Sequence, residues 1–209
     1  MNILIADDHV IIREGLLRFL QNFPAVSNVD QAVDGNEALD KIRQMAYDLV
    51  ILDISMPGMS GLDILQQIKR SGIDSRVLIL SFHDEHQYAS RAFSLGASGY
   101  IKKSASYDDI REAITRVAAG GKYVSPGLAE KLAFGNMEIA GKLPHEKLSE
   151  REFQVMLLLS KGKSVKEIAA QTYISDKTVS TYRTRIMKKM GMSTNADLVL
   201  YAYKNELIK

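Results

Sequence analysis

The chain has no cysteine among its 209 residues. Disulfide frameworks, thiol nucleophiles and Cys-ligated zinc or iron–sulfur centres are therefore excluded. The same absence is compatible with a reducing cytoplasm. No apolar run approaches the ~18–20 residues of a membrane span. No Lys or Arg precedes Arg13, and Asp7 and Asp8 arrive early, so no signal-peptide pattern opens the chain. The expectation is a cytoplasmic protein with no membrane partner. No internal repeat or low-complexity tract is apparent. Neither common phosphate-binding glycine motif is present, G-x-G-x-x-G or G-x-x-x-x-G-K-[ST].

What remains is an ordinary globular composition. Hydrophobic residues make up 46% and charged residues 25%, which argues against a disordered chain. The length allows one large domain or two small ones. The formal net charge of +2 hides an asymmetry. Residues 1–119 carry 12 Lys/Arg against 16 Asp/Glu, and residues 120–209 carry 15 against 9. Two parts with different partners are implied, the second facing an anion.

The first part alternates short apolar runs with helical patterns. Continuous apolar runs at 3–6, 49–52 and 77–80 read as strands buried on both faces of a parallel sheet. A weaker run spans 26–33 and a short one 100–101. Helical stretches lie between and after them, at 11–22, 37–45, 62–70, 85–95 and 108–119. Five strands alternating with five helices predict an α/β doubly wound parallel sheet. Gly120 and Gly121 stop the fifth helix. A short helix is predicted at 128–134, followed by a connector over 135–145. From Leu148 the pattern is entirely helical. Ser149 with Glu152, and Ser164 with Glu167, form capping boxes. Ser175 and Ser193 are placed to cap two further helices, 177–190 and 195–204. Four short helices make a second, smaller all-α domain.

The strand ends of the first part carry carboxylates. Asp7 and Asp8 follow the first strand, and Asp53 follows the third. With strand order 2-1-3-4-5 these strands are neighbours, so three acids share one crevice beyond their carboxyl ends. Close carboxylates repel unless a cation joins them, and oxygen-only ligands favour a hard ion such as Mg²⁺. One carboxylate can also carry a phosphoryl group covalently. Ser81 ends the fourth strand as a hydroxyl donor. Lys103 follows the fifth as a cation for the same charge, with Tyr100 three residues earlier. Lys102 is the adjacent alternative to Lys103. His83 and His86 are three apart, but nothing completes a tetrahedral metal set around them.

These residues resemble the receiver domain of bacterial two-component response regulators. The resemblance rests on Asp7-Asp8, the run DISMPGMSG from Asp53, Ser81, and the spacing of Tyr100 and Lys103. It implies a flavodoxin-like receiver whose Asp53 takes a phosphoryl group from a phosphohistidine on a sensor histidine kinase. It implies Mg²⁺ held by Asp8, Asp53 and the Ser55 backbone carbonyl, with Asp7 acting through water. Ser81 and Tyr100 would form a switch pair, Tyr100 swinging inward as the hydroxyl moves, and Lys103 would contact the phosphoryl group. Many receivers have a cis proline after this Lys. Here Ser104 follows, where a cis bond costs ~2.5–4 kcal/mol.

The second part contains KTVSTYRTRIMKK over 177–189, with five bases and no acid. On a helix, Val179, Ile186 and Met190 share one side. Lys177, Thr181, Thr184 and Lys188 share the opposite side. An anchored face and a free basic face suit a DNA major groove. With the helix over 165–171 and a turn at 172–174, the arrangement is a helix-turn-helix. Residues 148–203 resemble the LuxR-type helix-turn-helix domain, on LSEREFQVMLLLSKGKSVKEIA and SDKTVSTYRTRIMKKMGM. Nearly the whole chain thus resembles the NarL/FixJ family of response regulators. The family implies that Ser180, Thr181 and Thr184 face bases. Lys177, Arg183, Arg185, Lys188 and Lys189 then contact phosphates. Glu150 and Glu167 are read as structural acids.

The resulting expectation is a DNA-binding transcriptional regulator switched at Asp53, not an enzyme. A receiver over 1–119, a linker with a short helix over 120–144 and a DNA-binding domain over 145–209 would form a homodimer on paired half-sites when phosphorylated. Two other readings use the same residues. One is a phosphohydrolase with Asp53 as transient nucleophile, although no second carboxylate stands two residues after it. The other is a dimerising receiver indifferent to phosphorylation.

Overall fold

A computed structural model of the chain describes residues 1–82, 85–133, 143–205 and 207–208. His83 and most of the expected connector lie outside the described residues, as do the side chains of His86 and Glu150. The chain divides into two compact units, Met1–Met137 and Glu138–Lys209.

The first unit alternates strand and helix through β1 (Asn2–Ala6), α1 (Val10–Leu20), β2 (Asn28–Ala32), α2 (Gly35–Gln44) and β3 (Leu49–Leu52). It continues with α3 (Gly61–Ser71), β4 (Arg76–Ser81), α4 (Glu85–Leu95), β5 (Gly99–Lys102) and α5 (Tyr107–Ala118). All strands are parallel, in the expected order β2-β1-β3-β4-β5. The continuous apolar runs become β1, β3 and β4 because both faces of the central sheet are covered. Side chains alternate between those faces. Ile3, Ile5, Ile51, Leu78, Leu80 and Ile101 join Phe19 and Leu20 of α1 and Ile114 and Val117 of α5 in one core. Leu4, Val50, Leu52 and Ile79 point the other way and are also buried, on the side where α2 and α4 meet the sheet. β2 reads NVDQA and is half-buried. An edge strand needs fewer apolar residues, which explains its weak sequence signal.

Side-chain caps start several of these helices. Asp34 accepts from the amides of Asn36 and Glu37 at α2, Ser60 from Asp63 at α3, and Ser106 from Asp109 at α5. These bonds satisfy otherwise orphaned N–H groups.

Beyond α5 the chain stays with the sheet. Tyr123 bridges Gly99 in parallel and its amide donates to Ser98 O at 3.0 Å. Its ring enters the core beneath α1 and α5. The next helix, α6 (Pro126–Ala133), starts two residues before the expected position. Leu128 is buried. Residues 120–133 therefore belong with the first unit, in the stretch expected as a linker with a short helix.

The second unit opens with a 3-10 turn at Pro144–Lys147. It continues through α7 (Glu150–Ser160), α8 (Val165–Thr172), α9 (Asp176–Met190) and α10 (Asn195–Lys204). Both expected capping boxes form. A third forms at Thr194 with Asp197, so Thr194, not Ser193, caps the last helix. Phe153, Met156, Ile168, Val179, Ile186, Leu198 and Ala202 are buried, with α7 packed against α9 and α10. Tyr173 caps the end of α8 at φ 55°, ψ 39°, a left-handed conformation that costs a non-glycine residue roughly 1–2 kcal/mol. Among the described residues, no helix is long and apolar enough to cross a membrane.

Candidate functional site

Four strand ends meet at the carboxyl edge of the sheet. Asp7 and Asp8 leave β1, Asp53 leaves β3, and Lys103 leaves β5, while Ser81 is the last residue of β4. Parallel strands in this order put all their carboxyl ends on one side, as the sequence predicts. Asp7, Asp53 and Ser81 are buried, and the Lys103 side chain is 0% exposed.

Lys103 is the cation that enters the pocket. Its Nζ stands 2.8 Å from Asp53 Oδ2 and 2.7 Å from Asp7 Oδ2. The same Nζ lies 5.1 Å from the centre of the Phe82 ring. Lys102, by contrast, ends β5 with a partly exposed side chain. No cis peptide occurs among the described residues, so the bond between Lys103 and Ser104 is trans.

Burial pushes the Asp53 carboxyl above the ordinary carboxylate range. Lys103 pulls it back by charge and hydrogen bond; the Asp7 charge adds to the upward push, and the Ser81 hydroxyl opposes it. The buried Oδ1 of Asp53 has no hydrogen-bond partner, and neither does Asp8 Oδ1. His9 Nδ1 does come within 2.8 Å of Asp8 Oδ1, but out of hydrogen-bond alignment. An orphaned buried oxygen is costly unless another group completes it. Ligand atoms of Asp7, Asp8, His9 and Asp53 all lie within 4.8 Å of one another. This donor set fits a divalent cation with a preference for oxygen. Ser55 lies in the same loop, two residues after Asp53, and is half-buried.

The loop after Asp53 is clamped backbone to backbone. The Gly61 amide donates to Ile54 O at 2.9 Å. A Cβ on Gly61 would meet the Asp53 carbonyl oxygen at 2.0 Å, so only glycine allows this closure. The Tyr100 ring is fully buried.

Sequence reasoning passed over Arg13. It is 8% exposed; its Nη1 donates to Asp7 O at 2.7 Å and its Nε to Gln31 Oε1 at 3.0 Å. The signal was available, since Arg13 shares a helical face with Leu16 and Leu20. A cation on a buried face requires a partner.

In the second unit, Val179, Ile186 and Met190 anchor α9. Lys177, Ser180, Thr181, Arg183, Thr184, Arg185, Lys188 and Lys189 are all exposed. Two of the bases are nevertheless engaged. Lys189 Nζ pairs with Glu152 Oε2 at 2.6 Å, and Arg183 Nε donates to Asn195 Oδ1 at 3.0 Å. Lys189, expected on a phosphate, also ties α9 to the buried capping acid of α7. The hydroxyls are engaged too. Ser180 donates to Asp176 O at 2.9 Å, Thr181 to Lys177 O at 2.9 Å and Thr184 to Ser180 O at 3.1 Å.

A sheet with an acid pocket, joined to a helix-turn-helix unit, defines a class of proteins that couple a signalling domain to DNA. The family model described as "Response regulator receiver domain" matches residues 3–115. That described as "Bacterial regulatory proteins, luxR family" matches residues 146–202. The chain is similar to the response regulator UvrY of Escherichia coli strain K12, at 34% identity over 99% of this chain and 95% of that one. It is also similar in structure to RcsB from Salmonella enterica serovar Typhimurium bound to promoter rprA with the phosphomimetic BeF3⁻. That likeness has a TM-score of 0.63 and 26% identity, covering 96% of this chain and 98% of that one. A structure of two RcsB dimers bound to two parallel DNAs matches with a TM-score of 0.60 and 26% identity, over 97% and 98% of the chains. The chain belongs to the NarL/FixJ family of response regulators and is a DNA-binding transcriptional regulator.

Proposed function

We propose that Asp53 is the phosphoacceptor through which a sensor histidine kinase controls DNA binding by residues 145–209. The observation that carries this reading is the state of its carboxylate. Asp53 is buried, with one oxygen held by Lys103 at 2.8 Å and the other without a hydrogen-bond partner, beside Asp7 and Asp8. In the transfer, a carboxylate oxygen attacks the phosphorus of a phosphohistidine. The P–N bond breaks, an acyl phosphate P–O bond forms, and the imidazole leaves with a proton from solvent. Lys103 offsets the charge that arrives, and the Ser81 hydroxyl donates to a phosphoryl oxygen. Asp7, Asp8, Asp53 and the Ser55 carbonyl would hold Mg²⁺, which neutralises phosphoryl charge when bound. Ser81 and Tyr100 form the switch pair that carries the change to the receiver surface.

The receiver takes residues 1–119 and residues 120–144 link it to the DNA-binding domain, the first part of that link packing on the receiver. On DNA, Lys177, Arg185, Lys188 and Lys189 contact phosphates, and Ser180, Thr181 and Thr184 face bases. Arg183 keeps its Nη groups for a phosphate while Asn195 orients it. The active form is a homodimer on paired half-sites, working in the cytoplasm. The RcsB dimers on DNA support that assembly by likeness.

The test is labelling with a small phosphodonor. Wild type takes up an acid-stable, base-labile phosphoryl group, as acyl phosphates do, and Asp53→Asn takes up none. Persistent labelling of that variant sinks the assignment. Steady turnover of phosphate esters by wild type would favour a hydrolase instead.

A further inference from the structure

The exposed side of α9 has an uncommon polar chemistry. A hydroxyl offers one donor and two acceptor positions. Ser180, Thr181 and Thr184 each spend the donor on a carbonyl four residues back. What they present outward is lone pairs and, from the two threonines, methyl groups. Beside them, Ser180, Arg183, Thr184 and Met187 line a shallow open hollow. These residues are three or four apart, so they are neighbours on one face. Arg183, the one long cation there, is held through Nε by Asn195.

Each base edge presents a fixed pattern in the major groove. Guanine shows only acceptors, N7 and O6. Adenine adds the N6 amino donor, and thymine adds the C5-methyl group. Lys177 and Lys188 share this face with Thr181 and Thr184, but at the hydroxyls themselves guanine meets lone pair against lone pair. There an A·T pair offers a donor to an oxygen and a methyl to the hollow.

We infer that the hollow at Ser180, Thr184 and Met187 is a subsite for the C5-methyl of thymine, and that the hydroxyl oxygens of this face accept from adenine N6, so that guanine is excluded from the bases they meet. The inference rests on α9 being the helix that enters the groove. It goes further by assigning which base edge this chain's own residues select. Thr184 is a specificity-determining residue here, with its methyl as the reading element.

Selection from a random DNA pool, with the full-length protein, Mg²⁺ and a small phosphodonor, supplies the sites. Uracil is then placed at one thymine at a time. Uracil lacks only the C5-methyl, and burying one such group corresponds to roughly a fourfold affinity change. Wild type should lose about fourfold at one thymine per half-site. Thr184→Ser, which keeps the hydroxyl and drops the methyl, should bind thymine and uracil there equally. Thr184→Val, which keeps a methyl, should still prefer thymine. Selected sites carrying guanine on the contacted strand at that position overturn the inference. So does a uracil effect at no position, or one that persists undiminished in Thr184→Ser. A pool that yields no enriched sequence rejects the DNA-binding reading of α9 itself.

Discussion

Replacing Lys189 by methionine keeps most of the side-chain stem and removes the ammonium that sits 2.6 Å from Glu152 Oε2. Glu152 is 3% exposed and Lys189 41%, so one charge is sheltered and the other wet. A hydrogen bond to a charged group contributes about 1.5–3 kcal/mol net. Screening at the wet end lowers the pair's own coupling to about 1–2 kcal/mol. Removing the ammonium also leaves a buried carboxylate with only Ser149 to serve it, through its amide at 2.7 Å and its hydroxyl. The total cost of Lys189→Met should therefore be about 2–3 kcal/mol. Glu152→Gln keeps an acceptor for that amide and should cost about 1–2 kcal/mol. The double variant should cost less than the sum, by the coupling. Native-state hydrogen exchange separates the two units without cutting the chain. Amides of α7 and α9 should lose about 1.5–2 decades of protection, while those of β1 and β3 stay unchanged. Strictly additive costs would refute the pairing. Unchanged exchange together with weakened DNA binding would assign Lys189 to the phosphate alone.

Lys188, one residue away, is exposed; Lys188→Ala should flatten the log–log salt dependence of DNA affinity by about 0.9 per half-site, measured by titration at several salt concentrations. Glu152 also gives the second unit an acid sensitivity. Burial pushes its carboxyl up, but the Lys189 and Ser149 bonds outweigh burial and hold it below 4.5. Its stabilising contribution is thus present above that ordinary value and lost as pH falls through the lowered one; acid titration of helicity should show a later loss in Glu152→Gln. Gly61→Ala drives a Cβ to 2.0 Å from the Asp53 carbonyl oxygen, and the forced shift should slow phosphoryl uptake by roughly 10–100-fold, read by labelling rate. Tyr173→Asn replaces a tyrosine at φ 55° with a residue that tolerates that region, and should stabilise the second unit by up to ~1 kcal/mol; slower amide exchange in α8 checks it.

Much of this architecture is legible in one sequence because its signals are local. Continuous apolar runs mark β1, β3 and β4, since strands covered on both faces need no polar side. β2 is faint because its five residues, NVDQA, sit at an edge. Asp7, Asp8, Asp53, Ser81 and Lys103 can be read together because parallel strands deliver their ends to one side. What escapes is partnership across distance. Nothing near Lys189 announces Glu152, which is 37 residues away. Tyr123 lies past two glycines, which stop the helix but leave the chain free to return along β5. The i−4 bonds of Ser180, Thr181 and Thr184 are a choice of rotamer, and composition does not record it.

Arg13 ties the acid loop after β1 to β2, the edge strand paired beside it. One arm holds the carbonyl of Asp7, and the other holds Gln31 in the peripheral strand β2. That strand is the least apolar of the sheet and so the most tolerant of substitution. Exchange of a single amide side chain there changes what the guanidinium grips and where it leaves the acid loop. Variation at the margin of the sheet can thus reach the acid pocket through a single guanidinium.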